Sequence, residues 1–189
     1  KTATQGSGDG TYYIHVQAKD AVGNESVVKT VSALLDNTAP DVLTPSVAAG
    51  TYNTAQTVTL TSAGNTIRYT TDGSTPTAEA GTIYSEPISI DAASGTITLK
   101  AVAIDAAGNV SAVMSAAYVF DKAKPEVTGL SDDATATKSK TWTWDSTKEG
   151  STFRYAVDQS ETWEPSGEYG ATKTATQGSG DGTYYIHVQ

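Results

Sequence analysis

The sequence predicts an all-β chain of tandem sandwich domains, and three observations carry that reading. Alternation with period two dominates: in TYYIHVQAK (residues 11–19), Tyr12, Ile14, Val16 and Ala18 share one face and Tyr13, His15, Gln17 and Lys19 the other. This is the pattern of a strand with one buried side. Turn signals separate such runs at spacings of roughly 8–12 residues, as in all-β sandwiches. No apolar period of 3.6 residues persists for the length of a helix. With 38% hydrophobic and 17% charged residues, the composition also suits short strands better than charged helices.

Repetition sets the organisation. Residues 173–189 repeat residues 1–17, KTATQGSGDGTYYIHVQ, letter for letter, so Lys1 and Lys173 lie 172 positions apart. Fixed-period self-similarity marks an array. A second, diverged period of 85 lies inside the first: Asp20-Ala21-Val22-Gly23-Asn24 recurs as Asp105-Ala106-Ala107-Gly108-Asn109, and Asp36 and Pro40 map onto Asp121 and Pro125. Each 172-residue repeat therefore holds two copies of a domain of about 85 residues, an ordinary domain size. Proline donates no ladder hydrogen bond and fixes its own φ, so DNTAPDV (36–42) and DKAKPEV (121–127) read as stiff linkers. The chain is then a slice through an array. Residues 1–38 are the last strands of one domain, 39–121 a complete domain, and 122–189 most of another that the next repeat would finish.

The elements follow in order. TVTLTS (57–62) and TWTWDS (141–146) alternate, pairing Val58 with Leu60 and Trp142 with Trp144 on inward faces. TIRYTT and TFRYAV are further strands, and ISIDAASGTITLKAVAI supplies two, with Ile97, Leu99, Ala101 and Ala103 inward. Gly23-Asn24 and Gly108-Asn109 are expected to provide the positive-φ residues of hairpin turns.

GDGTYYIHV resembles the start of strand F of an immunoglobulin-like sandwich, where a tyrosine two residues before a cysteine anchors the corner. Tyr12 and Tyr184 would hold that corner, with Ile14 and Ile186 in the cysteine position. The core would be pinned by apolar burial, because the chain has no cysteine. IRYTTDGSTPT (67–77), YSEPISI (84–90) and TLKAVAIDAAGNVS (98–111) make residues 39–121 resemble the chitobiase/β-hexosaminidase C-terminal-type module. The second copy is similar to bacterial immunoglobulin-like repeats of large surface proteins, and departs from the first pattern where DGSTPT becomes DQSETW. The resemblance implies an accessory sandwich without catalysis, in a secreted or surface-displayed bacterial protein.

Composition excludes several functions. A net charge of −9 argues against nucleic acid, whose phosphates need Lys/Arg patches. No apolar run reaches the roughly 18 residues that span a bilayer, so no membrane insertion is expected in this segment. His15 and His187 are one repeat position on an outward face with no triad around it. Ser26-Val27-Val28-Lys29 matches S-x-x-K without its companion motifs. The chain is expected not to be an enzyme and to require no cofactor.

Calcium is the main site hypothesis. Asp36 and Asp41 at the first linker, Asp121 and Glu126 at the second, and the turn residues Asp20 and Asp105 could together supply hard oxygens for Ca²⁺. Each Asp can equally cap its own turn, and the Gly/Asp turn GSGDG (6–10) is too short for a calcium-binding array. Trp163, followed by Pro165 and Tyr169, could stack on a sugar or pack over the sandwich edge.

These readings converge on a stalk or spacer repeat of an extracellular bacterial adhesin or fibre, with neighbouring repeats as partners. The alternative is a carbohydrate-binding accessory module of a secreted glycoside hydrolase. Residues 1–38 could also complete a neighbouring chain's sandwich head-to-tail by strand addition.

Overall fold

The computed structural model describes residues 1–189 and contains strands, turns and no helix. Contacts divide it into two compact units, Lys1–Lys122 and Ala123–Gln189.

The first unit begins with an antiparallel hairpin of β1 (Gly10–Val16) and β2 (Lys29–Leu35). A fuller domain follows. Its strands are β3 (Gly50–Tyr52), β4 (Gln56–Val58), β5 (Thr66–Thr70), β6 (Thr82–Ile83), β7 (Ile88–Ile90), β8 (Ser94–Ile104) and β9 (Met114–Asp121). They form a five-stranded sheet in the order β3-β9-β8-β5-β6 and a two-stranded sheet of β4 and β7. Only the β3–β9 pair is parallel. Val58, Leu60 and Ile90 meet Leu99, Ala101, Tyr118 and Phe120 in one core. The inward alternation read from the sequence is what buries them, each large side chain contributing about 1.5–3 kcal/mol. The Tyr118 hydroxyl is satisfied by donating to the Val47 carbonyl at 2.8 Å.

The hairpin repeats the ladder of the fuller domain. Gly10 faces Leu35 as Gly95 faces Phe120, and Ile14 faces Val31 as Leu99 faces Ala116. Its intended inner face is nevertheless open: Ile14 is 40% exposed where the aligned Leu99 is 0%. Residues 1–38 hold only these two strands, so no second sheet covers Tyr12, Ile14 and Val16.

The second unit contains β10 (Val127–Thr128), β11 (Lys140–Thr143), β12 (Asp145–Ser146), β13 (Tyr155–Asp158), β14 (Thr174–Gln177) and β15 (Tyr185–Val188). They pair antiparallel as β10–β12, β11–β14 and β13–β15. Trp144, Phe153 and Ala175 are buried, with Leu130, Val157, Ile186 and Val188 packed around them. Trp142 was expected to share that core and is only half-buried.

The turns differ from expectation in one respect. Gly23 and Gly108 take positive φ (102° and 95°), and no other residue type does, so Asn24 and Asn109 are not left-handed. Their amides serve another purpose.

Candidate functional site at the first linker

Antiparallel pairing of Gly10 with Leu35 brings the GSGDG turn beside the linker that follows β2. A Cβ at Gly8 would overlap the Tyr12 hydroxyl, so the turn needs glycine for this close approach as well as for its φ of 92°. The Asp9 carboxylate accepts the Asn37 N–H at 2.6 Å and the Thr38 hydroxyl at 2.5 Å. The Asn37 side-chain amide donates to the Gly8 carbonyl at 2.9 Å. The Thr38 hydroxyl, and then the Asn37 N–H, hold the Asp9 carboxyl below the usual carboxylate range.

The linker is held from its other side too. The Asn109 side-chain amide donates to the Asp36 carbonyl at 3.0 Å and to the Asp105 carboxylate at 2.9 Å. Asp105 also accepts the Asn109 N–H at 2.8 Å and the Ala107 N–H at 2.9 Å. The Asn109 side chain is the chief reason the Asp105 carboxyl titrates low, with burial opposing it. Asp20 repeats the arrangement with the Val22 and Asn24 N–H groups and the Asn24 amide, which lowers its carboxyl in turn. The linker Asp36-Asn37-Thr38 is therefore gripped by the turn before β1 and by the turn after β8.

The six carboxylates named for calcium do not converge. No three His, Cys, Asp or Glu side chains gather anywhere in the chain. Asp20 and Asp105 are spent on their own turns, and the Asp36 carboxylate accepts the Thr38 N–H at 3.1 Å. Asp36 and Asp105 do approach, but through Asn109 and the Asp36 backbone carbonyl. Asp41, Asp121 and Glu126 are exposed. The second linker is secured separately on each side. Lys122 pairs with Asp91, and the Glu126 N–H donates to the Thr147 hydroxyl at 3.0 Å while the Glu126 carbonyl accepts the Thr147 N–H at 3.0 Å.

Trp163 is half-buried, its ring 5.9 Å from that of His187 on the face of β15. His187 in turn lies 2.9 Å from the Ser160 carbonyl, whereas its twin His15 pairs with the Thr30 hydroxyl at 2.8 Å.

Comparison with known proteins adds a family to part of the chain. Residues 47–115 match the family described as chitobiase/beta-hexosaminidase C-terminal domain. The matched domain runs from before β3 to the start of β9, and Asn109 lies inside it. No protein of curated function matches the chain. Among solved structures, the chain is similar to the FN1–FN3 domains of chicken CNTN1, with 13% identity, 94% of this chain and 68% of that one covered, and a TM-score of 0.34. It is also similar to a tetra-tandem repeat in the extending region of a large adhesion protein, with 21% identity, 95% coverage of this chain and a TM-score of 0.30. It spans 48% of that second chain. No helix is long and apolar enough to cross a membrane.

Sequence reasoning passed over Asp9, Thr38 and the side-chain role of Asn109. The signal for Asp9 was available, since an antiparallel hairpin places the residue before its first strand opposite the residue after its last.

Proposed function

We propose that the chain is a non-catalytic stalk or spacer repeat of an extracellular protein, extending another module away from its anchor. The observation that carries this reading is the two-sided grip on Asp36-Asn37-Thr38, which turns a short linker into a fixed joint. The Asp-x-x-Gly-Asn turn occurs twice, 85 residues apart, while Asp9 returns only as Asp181, so this joint can be built again once per 172-residue repeat. Units that contact only their neighbours let reach grow with repeat number. The net charge of −9 favours mutual repulsion of neighbouring stalks. Stiffness at the first joint comes from hydrogen bonds, and calcium is an added stiffener to be tested there.

Small-angle X-ray scattering of a chain carrying two 172-residue repeats, with calcium and then with chelator, tests the reading. The expected result is an extended rod in both conditions. A rod that bends on chelation would assign the stiffness to calcium and the linker carboxylates. A compact particle would overturn the spacer function and favour the sugar-binding module, for which the aromatic pair Trp163–His187 is the candidate surface.

A further inference from the structure

We infer that the outer face of the five-stranded sheet binds a second copy of this chain through that copy's acidic segment, residues 158–168. The face and the segment belong to different units. Each carries charges that nothing in its own unit neutralises.

The face follows from alternation. Ile67, Leu99, Ala101 and Met114 point into the core, so Arg68, Lys100, Val102 and Ser115 stand on the opposite side of the sheet. Residues 39–121 hold seven carboxylates and two cations, and both cations, Arg68 and Lys100, are on this side. Across the β5–β8 ladder Arg68 lies opposite Val102, and Thr70 opposite Lys100. The two cations are therefore diagonal neighbours, about 7–8 Å apart for such positions. No ion pair relieves either of them.

Arg68 is also aimed. Its Nη1 donates to the Gly81 carbonyl at 2.8 Å, and its Nε is buried without an acceptor. A guanidinium steered by one bond, with its other N–H groups unclaimed, suits a carboxylate. The surrounding strand positions Thr70, Thr98, Ser115 and Ala117 are small and uncharged. Ile83, opposite Arg68 and 55% exposed, adds apolar surface to the same face.

The segment supplies the matching charge. DQSETWEPSGE (158–168) has four carboxylates and no cation. Two are engaged: Asp158 lies 3.3 Å from the His187 Nε2, and Glu161 accepts the Tyr185 hydroxyl at 3.0 Å. Glu164 and Glu168 are exposed and form no ion pair. Trp163, packed on His187, tethers the segment to β15, and Gly167 (φ 85°) bends it between the two glutamates. A tethered, bent segment loses little freedom when its carboxylates are bound. Two free cations on one unit thus meet two free carboxylates from the other.

Each chain carries one face and one segment, so two chains offer complementary contacts in both directions. The net charge of −9 opposes approach at long range. Salt screens that repulsion beyond about 8 Å at physiological ionic strength, whereas the pairs act at contact.

The test uses the whole 189-residue chain. Exposed ion pairs give weak contacts, with dissociation on the order of millimolar, so NMR at rising concentration is the readout. The amides around Arg68 and Lys100 and those of residues 164–168 should shift together. A chain carrying Arg68→Glu and Lys100→Glu should lose these shifts, and so should a chain carrying Glu164→Lys and Glu168→Lys. Mixing the two reversed chains should restore them, because each then meets the opposite charge. Lys100→Ala removes no bond within the chain and should weaken association about threefold, the weight of one exposed pair. That variant carries the test if the reversed face does not fold. Shifts that are absent, that lie elsewhere, or that ignore charge reversal would overturn the inference, as would reversed chains that fail to rescue each other. Shifts that respond to reversal but not to concentration would mean pairing within one chain, and would overturn the second copy as occupant. The spacer reading is decided by the shape of the two-repeat chain, so either idea can fail without the other.

Discussion

The side-chain amide of Asn109 lies 3.0 Å from the carbonyl oxygen of Asp36, a residue 73 positions earlier that belongs to the preceding domain's last segment. One amide thereby joins a turn to the linker entering its own domain. Asn24 makes the matching bond to Asp20 without a linker to hold. The pair separates what the turn needs from what the joint needs.

Asn109→Ala is accordingly expected to cost about 1 kcal/mol more than Asn24→Ala, the net value of one exposed-to-intermediate hydrogen bond. Hydrogen exchange should quicken at residues 36–38 in the first variant and not in the second. Equal behaviour of the two would remove Asn109 from the joint.

Acid should loosen the linker before it unfolds the fuller domain. Asp9, Asp20 and Asp105 are held below the usual carboxylate range by their hydrogen-bond donors. Unfolding lets each bind a proton more readily, so stability is full above the ordinary carboxylate range and is lost as pH falls through the lowered folded values. NMR titration of the Asn37 and Asn109 amides should report this loss together with carboxyl protonation. A linker unaffected at pH values where Asp9 is protonated would contradict the assignment.

Leu99 and Ile14 occupy the same repeat position in opposite surroundings. Leu99→Ala should destabilise the fuller domain by about 2–5 kcal/mol through transfer loss and cavity. Ile14→Ala should cost well under half of that, since the side chain already meets water. Thermal unfolding of both variants decides it.

Trp163→Ala is expected to leave retention on chitin or cellulose unchanged if the repeat is a spacer. Its visible effect should be on His187, whose ring it contacts. Loss of polysaccharide binding in this variant would move the protein to the accessory-module reading.

The strands and their inward faces were legible because period-two alternation and burial are the same fact seen twice. Leu99, Ala101 and Ala103 are buried as the pattern in TLKAVAI required. The same pattern misled in TYYIHV, where Ile14 and Val16 point toward a sheet that residues 1–38 do not contain. Alternation specifies a face, and only the neighbouring strands decide whether that face is covered. The acidic linkers misled for a related reason. Carboxylates counted along the sequence look like a ligand set, but Asp20 and Asp105 are bound by N–H groups two and four residues away. The partnership of Asp9 with Thr38 spans 29 residues and becomes visible only once the hairpin register is known.

The exact copying of residues 1–17 at 173–189 has a consequence for how such a chain is made. At roughly 5–20 residues per second, a ribosome needs on the order of 10–30 s to travel from one copy to the next. A hairpin closes in about 1–10 μs. The strand Lys29–Leu35 is therefore committed to the copy just ahead of it long before the identical rival emerges. Vectorial synthesis supplies the discrimination that the sequence itself withholds, and refolding from denaturant, where both copies compete at once, should scramble what translation keeps in order.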